Sequence, residues 1–157
     1  MSEVILRDVA ESDLPILFEH QSDPEANRMA AFPSRDWDAF MAHWAKVLAN
    51  DAVWKKAIVF GESVVGNIGC WEQGGEQLVG YWIDRQHWGK GIASRALRLL
   101  VREVPIRPLF AHVAKHNLSS IRVLEKCGFT VCGENKGGDD GIVELIMKLE
   151  RPNDSER

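Results

Sequence analysis

The stretch "RQHWGKGIASRAL", Arg85 to Leu97, follows an apolar run and opens an amphipathic segment. Gly89 and Gly91 flank Lys90 at a place where a helix would favour neither glycine. Glycine inside a helix costs about 1 kcal/mol relative to alanine. The chain tolerates that cost where backbone must approach a ligand or adopt angles closed to other residues. The spacing predicts a helix from Ile92 to about Val104, with Ile92, Ala96, Leu97 and Leu100 turned inward. Ser94, Arg95, Arg98 and Arg102 then face water, and Pro105 and Pro108 end the helix.

Before this loop, three β-prone runs, Val53 to Phe60, Val64 to Trp71 and Leu78 to Ile83, are joined by "GES" and "EQGGE". Turn chemistry at both joints predicts an antiparallel meander. Earlier still, "EVILRDV" alternates like a strand, and Ser12 or Asp13 is placed to cap a helix holding Pro15 in its first turn. A short helical or looped stretch follows at "DPEANRM". Ser34 is the expected cap of a further helix, whose Trp37, Phe40, Met41, Trp44 and Leu48 form an apolar stripe.

Downstream, "LFAHVA" reads as a strand, and Asn117 caps a helix with Ile121 and Leu124 inside. Gly128 stands where a left-handed C-terminal residue belongs. "FTVCGE" and "IVELIMKL" are expected to pair as a hairpin around "KGGDDG". The sum is a single α+β domain over residues 1–150, with a mixed, mostly antiparallel sheet of about seven strands flanked by helices. "RPNDSER", 151–157, is expected to be a loose tail.

No apolar run approaches the roughly 20 residues of a membrane span, and acids stand among the first dozen residues, so neither a membrane nor a secretory role is expected. Cys70, Cys127 and Cys132 are odd in number and lack CxxC spacing. Reduced thiols in a cytoplasmic protein fit them better than disulfides or zinc. His20, His43, His87, His112 and His116 show no metal spacing, so no metal is expected. The net charge of −4 argues against nucleic acid as a partner, but its distribution is uneven. Arg85 to Lys126 holds nine basic and two acidic residues, a local +7, against −11 elsewhere. A basic middle in an acidic protein points to an anionic ligand, although arginines also decorate solvated helix faces.

A helix N-terminus offers unpaired N–H groups and the positive end of a dipole, which suits a phosphate. Two familiar phosphate loops do not match. A Walker loop needs Ser or Thr after its lysine, and Gly91 follows Lys90. A dinucleotide fingerprint needs a third glycine, and Ser94 stands there.

"QHWGKG", Gln86 to Gly91, resembles the [RQ]xxGx[GA] loop of the GNAT superfamily of acetyl-coenzyme A-dependent N-acetyltransferases. The longer "VGYWIDRQHWGKGIASRAL" and the block "NLSSIRVLEKCGF", Asn117 to Phe129, are similar to its ribosomal-protein N-terminal acetyltransferase branch. These motifs span Leu78 to Phe129, about a third of the chain, and the element order follows the family plan over nearly its whole length.

The resemblance implies that acetyl-coenzyme A lays its pantetheine arm along Tyr81, Trp82 and Ile83. Backbone amides from Trp88 through Gly89, Lys90, Gly91, Ile92 and Ala93 would cradle the diphosphate, with Gln86 opening the motif. It implies that Asn117 bonds the cofactor arm, unless it is simply a helix cap. Ser120 is implied to sit near the thioester sulfur and either bond the departing thiolate or return a proton to it, unless it is simply a helix-surface serine. The tyrosine that many members carry seven residues after the asparagine is replaced here by Leu124.

The reaction implied is direct attack of an amine on the thioester carbonyl, with the reactants held side by side and a backbone N–H near Ile83 polarising the carbonyl. Deprotonating the amine at neutral pH costs roughly 4.6 kcal/mol for a lysine side chain but only about 1 kcal/mol for an α-amine. Glu72 and Glu76 are the candidate bases; both also read as exposed turn residues, and the glutamate frequent in this branch two residues before the strand glycine is here Leu78. A water-mediated route stays open. The acceptor is expected to be a protein N-terminal α-amine or a small amine such as a polyamine, with Met29 to Trp44, Trp71 and Tyr81 lining its pocket. A homodimer stays open. The rival reading is a non-catalytic acyl-coenzyme A sensor or docking module, suggested by Leu78 and Leu124.

Overall fold

The run Val4–Asp8 forms strand β1, and its neighbour in space is not the next element but β2, Trp54–Phe60, with Val4 opposite Phe60. Between them lie three helices, α1 (Leu14–Gln21), α2 (Pro24–Ala30) and α3 (Trp37–Ala49). The computed structural model describes residues 3–136 and 141–150. β3 (Ser63–Gln73) and β4 (Glu76–Ile83) complete the expected meander. Both run closer to their turn than the sequence suggested, so that Glu72 faces Gln77 and Gln73 faces Glu76.

After β4 come α4 (Ile92–Glu103), β5 (Leu109–Ala114), α5 (Leu118–Lys126), β6 (Thr130–Lys136) and β7 (Val143–Leu149). The seven strands form one sheet in the order β1-β2-β3-β4-β5-β7-β6. Every pairing is antiparallel except β4 with β5. β6 and β7 make the expected hairpin, but residues 137–140 of its "KGGDDG" turn, and the tail at 151–157, lie outside the described residues.

The helices cover both faces. On one, α4 and α5 pack against the sheet through Ile92, Leu97, Leu100 and Leu124, which meet Ile58, Ile68, Phe129 and Met147. On the other, α1 and α3 bury Leu14, Leu17, Phe40 and Trp44 against Ala57. Leu17 and Phe40 are fully enclosed, each contributing about 1.5–3 kcal/mol in apolar burial. Among the described residues no helix is long and apolar enough to cross a membrane.

Three local expectations need correction. Ser34 does not cap α3; Asp36 does, accepting the Ala39 N–H at 2.8 Å, because a cap must adjoin the first helical residue, here Trp37. Neither Ser12 nor Asp13 caps α1 with its side chain. A turn of 3-10 helix at Glu11–Asp13 intervenes, and the Asp13 carboxylate instead takes both Arg7 nitrogens at 2.8 and 2.9 Å. A bidentate charge-assisted pair outweighs one cap bond. Ser94, expected in water, is buried. α5 packs over this side of α4, bringing the Cys127 thiol to the Ser94 carbonyl at 3.6 Å, and the Ser94 hydroxyl donates to the Gly91 carbonyl.

Candidate active site

β4 and β5 pair at only two positions, Gln77 with Leu109 and Leu78 with Phe110. Beyond them the strands part, leaving one edge of β4 without a strand partner from Val79 onward. A cavity of about 500 Å³ fills the split. Val79 to Ile83 form one wall and Ala111 to Ala114 the other, while α5 contributes Asn117, Ser119, Ser120, Val123 and Leu124. β3 steadies the β4 side. The Asp84 N–H donates to the Val65 carbonyl at 2.7 Å, and the Trp88 indole folds back to donate to the Ile83 carbonyl at 2.9 Å.

The loop from Asp84 to Gly91 closes one end. Asp84 starts a 3-10 turn, Arg85–His87, after which the Trp88 N–H donates to the Arg85 carbonyl at 3.1 Å. Gly89 and Gly91 both take positive φ, 77° and 75°. A β-carbon at either would meet no atom within 4 Å. Backbone angle, not contact inside the protein, therefore demands glycine, and the space beside each stays open to a ligand. The first helical bond runs from the Arg95 N–H to the Gly91 carbonyl. Arg95 also clamps the loop from its side chain, donating to the Lys90 and Gly91 carbonyls. Among the described residues, the N–H groups of Gly89, Lys90, Gly91, Ile92 and Ala93 meet no acceptor. With the α4 dipole behind them, these five amides form an anion seat at the cavity rim. The run is one shorter than expected, since the Trp88 N–H is already used.

At the inner wall, Asn117 accepts the Ser120 N–H at 3.3 Å and so does cap α5. The Ser120 and Tyr81 hydroxyls are hydrogen-bonded to each other. Burial pushes the Tyr81 phenol up to about 12, against a smaller downward pull from Ser120.

Of the residues singled out in the sequence, Tyr81, Trp82, Ile83, Trp88, Gly89, Gly91, Ile92, Ala93, Asn117 and Ser120 line this one cavity. Gln86 and Lys90 belong to the loop but have exposed side chains outside the lining. Glu72 and Glu76 are not brought to the cavity. Glu72 instead holds the β3–β4 turn, accepting the Gly75 N–H at 2.8 Å, and Glu76 begins β4. Of the stretch Met29 to Trp44, only Met29 and Ala30 line the cavity, joined by Ala26 of the same helix; residues 31–44 do not. Trp71 does not; its ring lies beneath Gly80, 2.9 Å from where a β-carbon would stand. Arg122 and Lys126 of α5 and His112 of β5 also line the cavity. The i, i+4 spacing of Arg122 and Lys126 behind Asn117 was the sequence signal for the first two. Among the described residues no cluster of His, Cys, Asp or Glu could hold a metal.

The chain is thus an α+β domain whose central sheet splits beside a helix N-terminus with unpartnered amides. Residues 3–130 match the family model described as the acetyltransferase (GNAT) domain, and the chain belongs to that family. A Bacillus subtilis protein, "Probable N-acetyltransferase YjcK", is 46% identical over 56 residues, 33% of this chain. That match spans only 31% of the relative's length. Among solved structures, the spermidine N-acetyltransferase of Vibrio cholerae, in complex with CoA and spermine, superposes with a TM-score of 0.83 at 16% identity. The alignment covers 94% of this chain and 95% of that one. The aminoglycoside acetyltransferase AAC(6')-Ib with coenzyme A gives 0.79 at 21% identity, covering 98% of each chain. At these identities the likeness is one of fold.

Proposed function

We propose that this protein is an N-acetyltransferase that moves the acetyl group of acetyl-coenzyme A to a primary amine. The observation that carries the reading is the run of five unpartnered amides, Gly89 to Ala93, opening onto the split between β4 and β5. The amides would take the diphosphate and the free edge of β4 the pantetheine arm, with Arg122 and Lys126 adding positive charge along the cleft. Acetyl-coenzyme A supplies the activated acyl carbon. The chain supplies alignment of the amine against it and a hydroxyl, Ser120, near the leaving sulfur.

The acceptor we propose is an α-amine, as in the ribosomal-protein N-terminal branch, in preference to a polyamine. Among the described residues, no Asp or Glu lines the cavity. The carboxylates of α2 and its cap are engaged, Asp23 by Arg85 and Glu25 by Arg28. A polycation would find no free anchor there, and a lysine-like amine no carboxylate base. An α-amine needs only about 1 kcal/mol to shed its proton at neutral pH. Water reached through the cavity can take it.

The test is release of free coenzyme A thiol from acetyl-coenzyme A with a panel of peptides, spermine and aminoglycosides, beside calorimetry of binding. Binding with turnover on peptide α-amines is the expected result. Turnover on spermine alone would overturn the acceptor assignment. Binding without turnover on any acceptor would favour the sensor or docking role, and no heat at millimolar acetyl-coenzyme A would overturn the whole reading.

A further inference from the structure

The hydroxyl pair Tyr81–Ser120 joins strand β4 to helix α5 across 39 residues of sequence. We propose that Tyr81 is a positioning residue: its phenol donates to Ser120 and thereby turns the serine's own O–H into the cleft, toward the leaving sulfur. This rests on the proposed acetyl transfer and assigns the orientation of one proton within it.

The direction of the bond follows from chemistry. A phenol is the stronger donor of the two, and Tyr81 packs its ring against the apolar main core. Tyr81 shares the α4/α5 side of β4 with Val79 and Ile83, and stands three positions past Leu78, the last residue of β4 paired with β5. An oxygen that accepts on one side carries its hydrogen away from that donor, and Ser120 lines the cavity into which that hydrogen can turn.

Without Tyr81 a different bond would win. A serine inside a helix returns its proton to a carbonyl three or four residues earlier. For Ser120 that means the His116 or Asn117 carbonyl, which would withdraw the hydrogen from the cleft. Leu124, one turn further along α5, is an apolar core residue and supplies no hydroxyl. The strand thus furnishes a phenol that steers the helix serine.

Tyr81 does not itself act as the acid. With its phenol near 12 and a free thiol near 8.5, proton transfer to a thiolate would lie roughly three orders of magnitude uphill. When the C–N bond forms and the C–S bond breaks, the electron pair stays on sulfur, where the Ser120 O–H bonds it. The proton shed by the attacking nitrogen neutralises it afterwards, through solvent, and coenzyme A and the amide leave.

The experiment needs no acceptor. Coenzyme A bound to the protein is titrated while thiolate absorbance is followed, for wild type, Tyr81→Phe, Ser120→Ala and the double variant. A donor at sulfur favours the thiolate, so the bound thiol in wild type should ionise more readily. Each single variant should lower its ionisation constant by about 3- to 10-fold, the worth of one net hydrogen bond. The double variant should match Ser120→Ala, since Tyr81 works only through the serine. Additive losses, or one ionisation constant shared by all four proteins, overturn the proposal. Should Tyr81→Phe fail to fold, equal ionisation on wild type and Ser120→Ala overturns it on its own. Coenzyme A that does not bind wild type at all sinks the transferase reading and this inference together; binding with no dependence on either hydroxyl sinks only the inference.

Discussion

Gly66 of β3 lies directly against the carbonyl of Trp82 in β4: a β-carbon on Gly66 would stand 2.1 Å from that oxygen. No side chain can give way, because the obstacle is backbone. The contact holds the end of β4 against β3 just where β5 has departed. Gly66→Ala should push Trp82 and Ile83 out of line, costing about 1–3 kcal/mol of stability as an overpacking change and weakening coenzyme A binding. Denaturant unfolding and calorimetry read the two effects. Unchanged values in both would mean that the strand end has slack the packing does not suggest.

Gly89 and Gly91 differ from Gly66 in kind, since their constraint is the positive φ and not a neighbour. Gly91→Ala should cost about 1–2 kcal/mol of stability, the left-handed penalty for an L-residue. Gly91→Glu should cost a similar amount and also repel a bound diphosphate. The ratio of coenzyme A affinities between these variants should widen as salt is lowered, because the added term is charge against charge. A ratio indifferent to salt would mean that the anion sits elsewhere.

Much of this architecture was legible in the sequence because local chemistry and tertiary packing agree. The stretch from Leu109 to Ala114 is a strand bounded as read. Gly128 takes its positive φ, and so do the two glycines of the loop, Gly89 and Gly91. The reading failed where a distant partner decided. Ser94 looked solvated because nothing local says that α5 covers it. Asp13 looked like a cap because Arg7, which claims it, lies on another element. Glu72 and Glu76 read both as bases and as turn residues, and only strand direction, which spacing does not give, sets them at the opposite end of β4 from the loop. The Tyr81–Ser120 bond spans 39 residues and has no sequence signature.

His20, at the end of α1, is buried beside Asp84, with its Nε2 4.0 Å from the carboxylate, and its carbonyl accepts the Trp82 indole N–H. Burial lowers its pKa below the ordinary 6.5, outweighing the pull of Asp84 and Glu19, with His87 adding a smaller push the same way. The unfolded chain therefore takes up the proton first as pH falls. Stability should decline as pH drops below about 6.5, with a limiting slope of about 1.4 kcal/mol per pH unit for one proton, and level off below the folded-state value. His43, also lowered by burial, adds to the same limb. The quantity to read is thus the difference between wild type and His20→Gln, which should shrink as pH falls through this window. Parallel curves would show that His20 titrates alike in both states.

The three cysteines are free but chemically unequal, which bears on any assay that counts released thiol. Burial pushes the Cys70 thiol up to about 11, and its Sγ donates to the Gln77 side chain at 3.4 Å. At about pH 8 roughly one part in a thousand of such a thiol is the reactive thiolate. Cys127 is half-buried under α4 and raised by the same cause. Cys132 is exposed on β6, the outermost strand of the sheet. A disulfide reagent added to the native protein should therefore titrate a single thiol quickly, and Cys132→Ser should remove that fast phase. Denaturant should reveal the other two in either protein. A fast phase that survives Cys132→Ser would place a second thiol within reach of solvent and require opening of the α4–α5 packing that encloses Cys127.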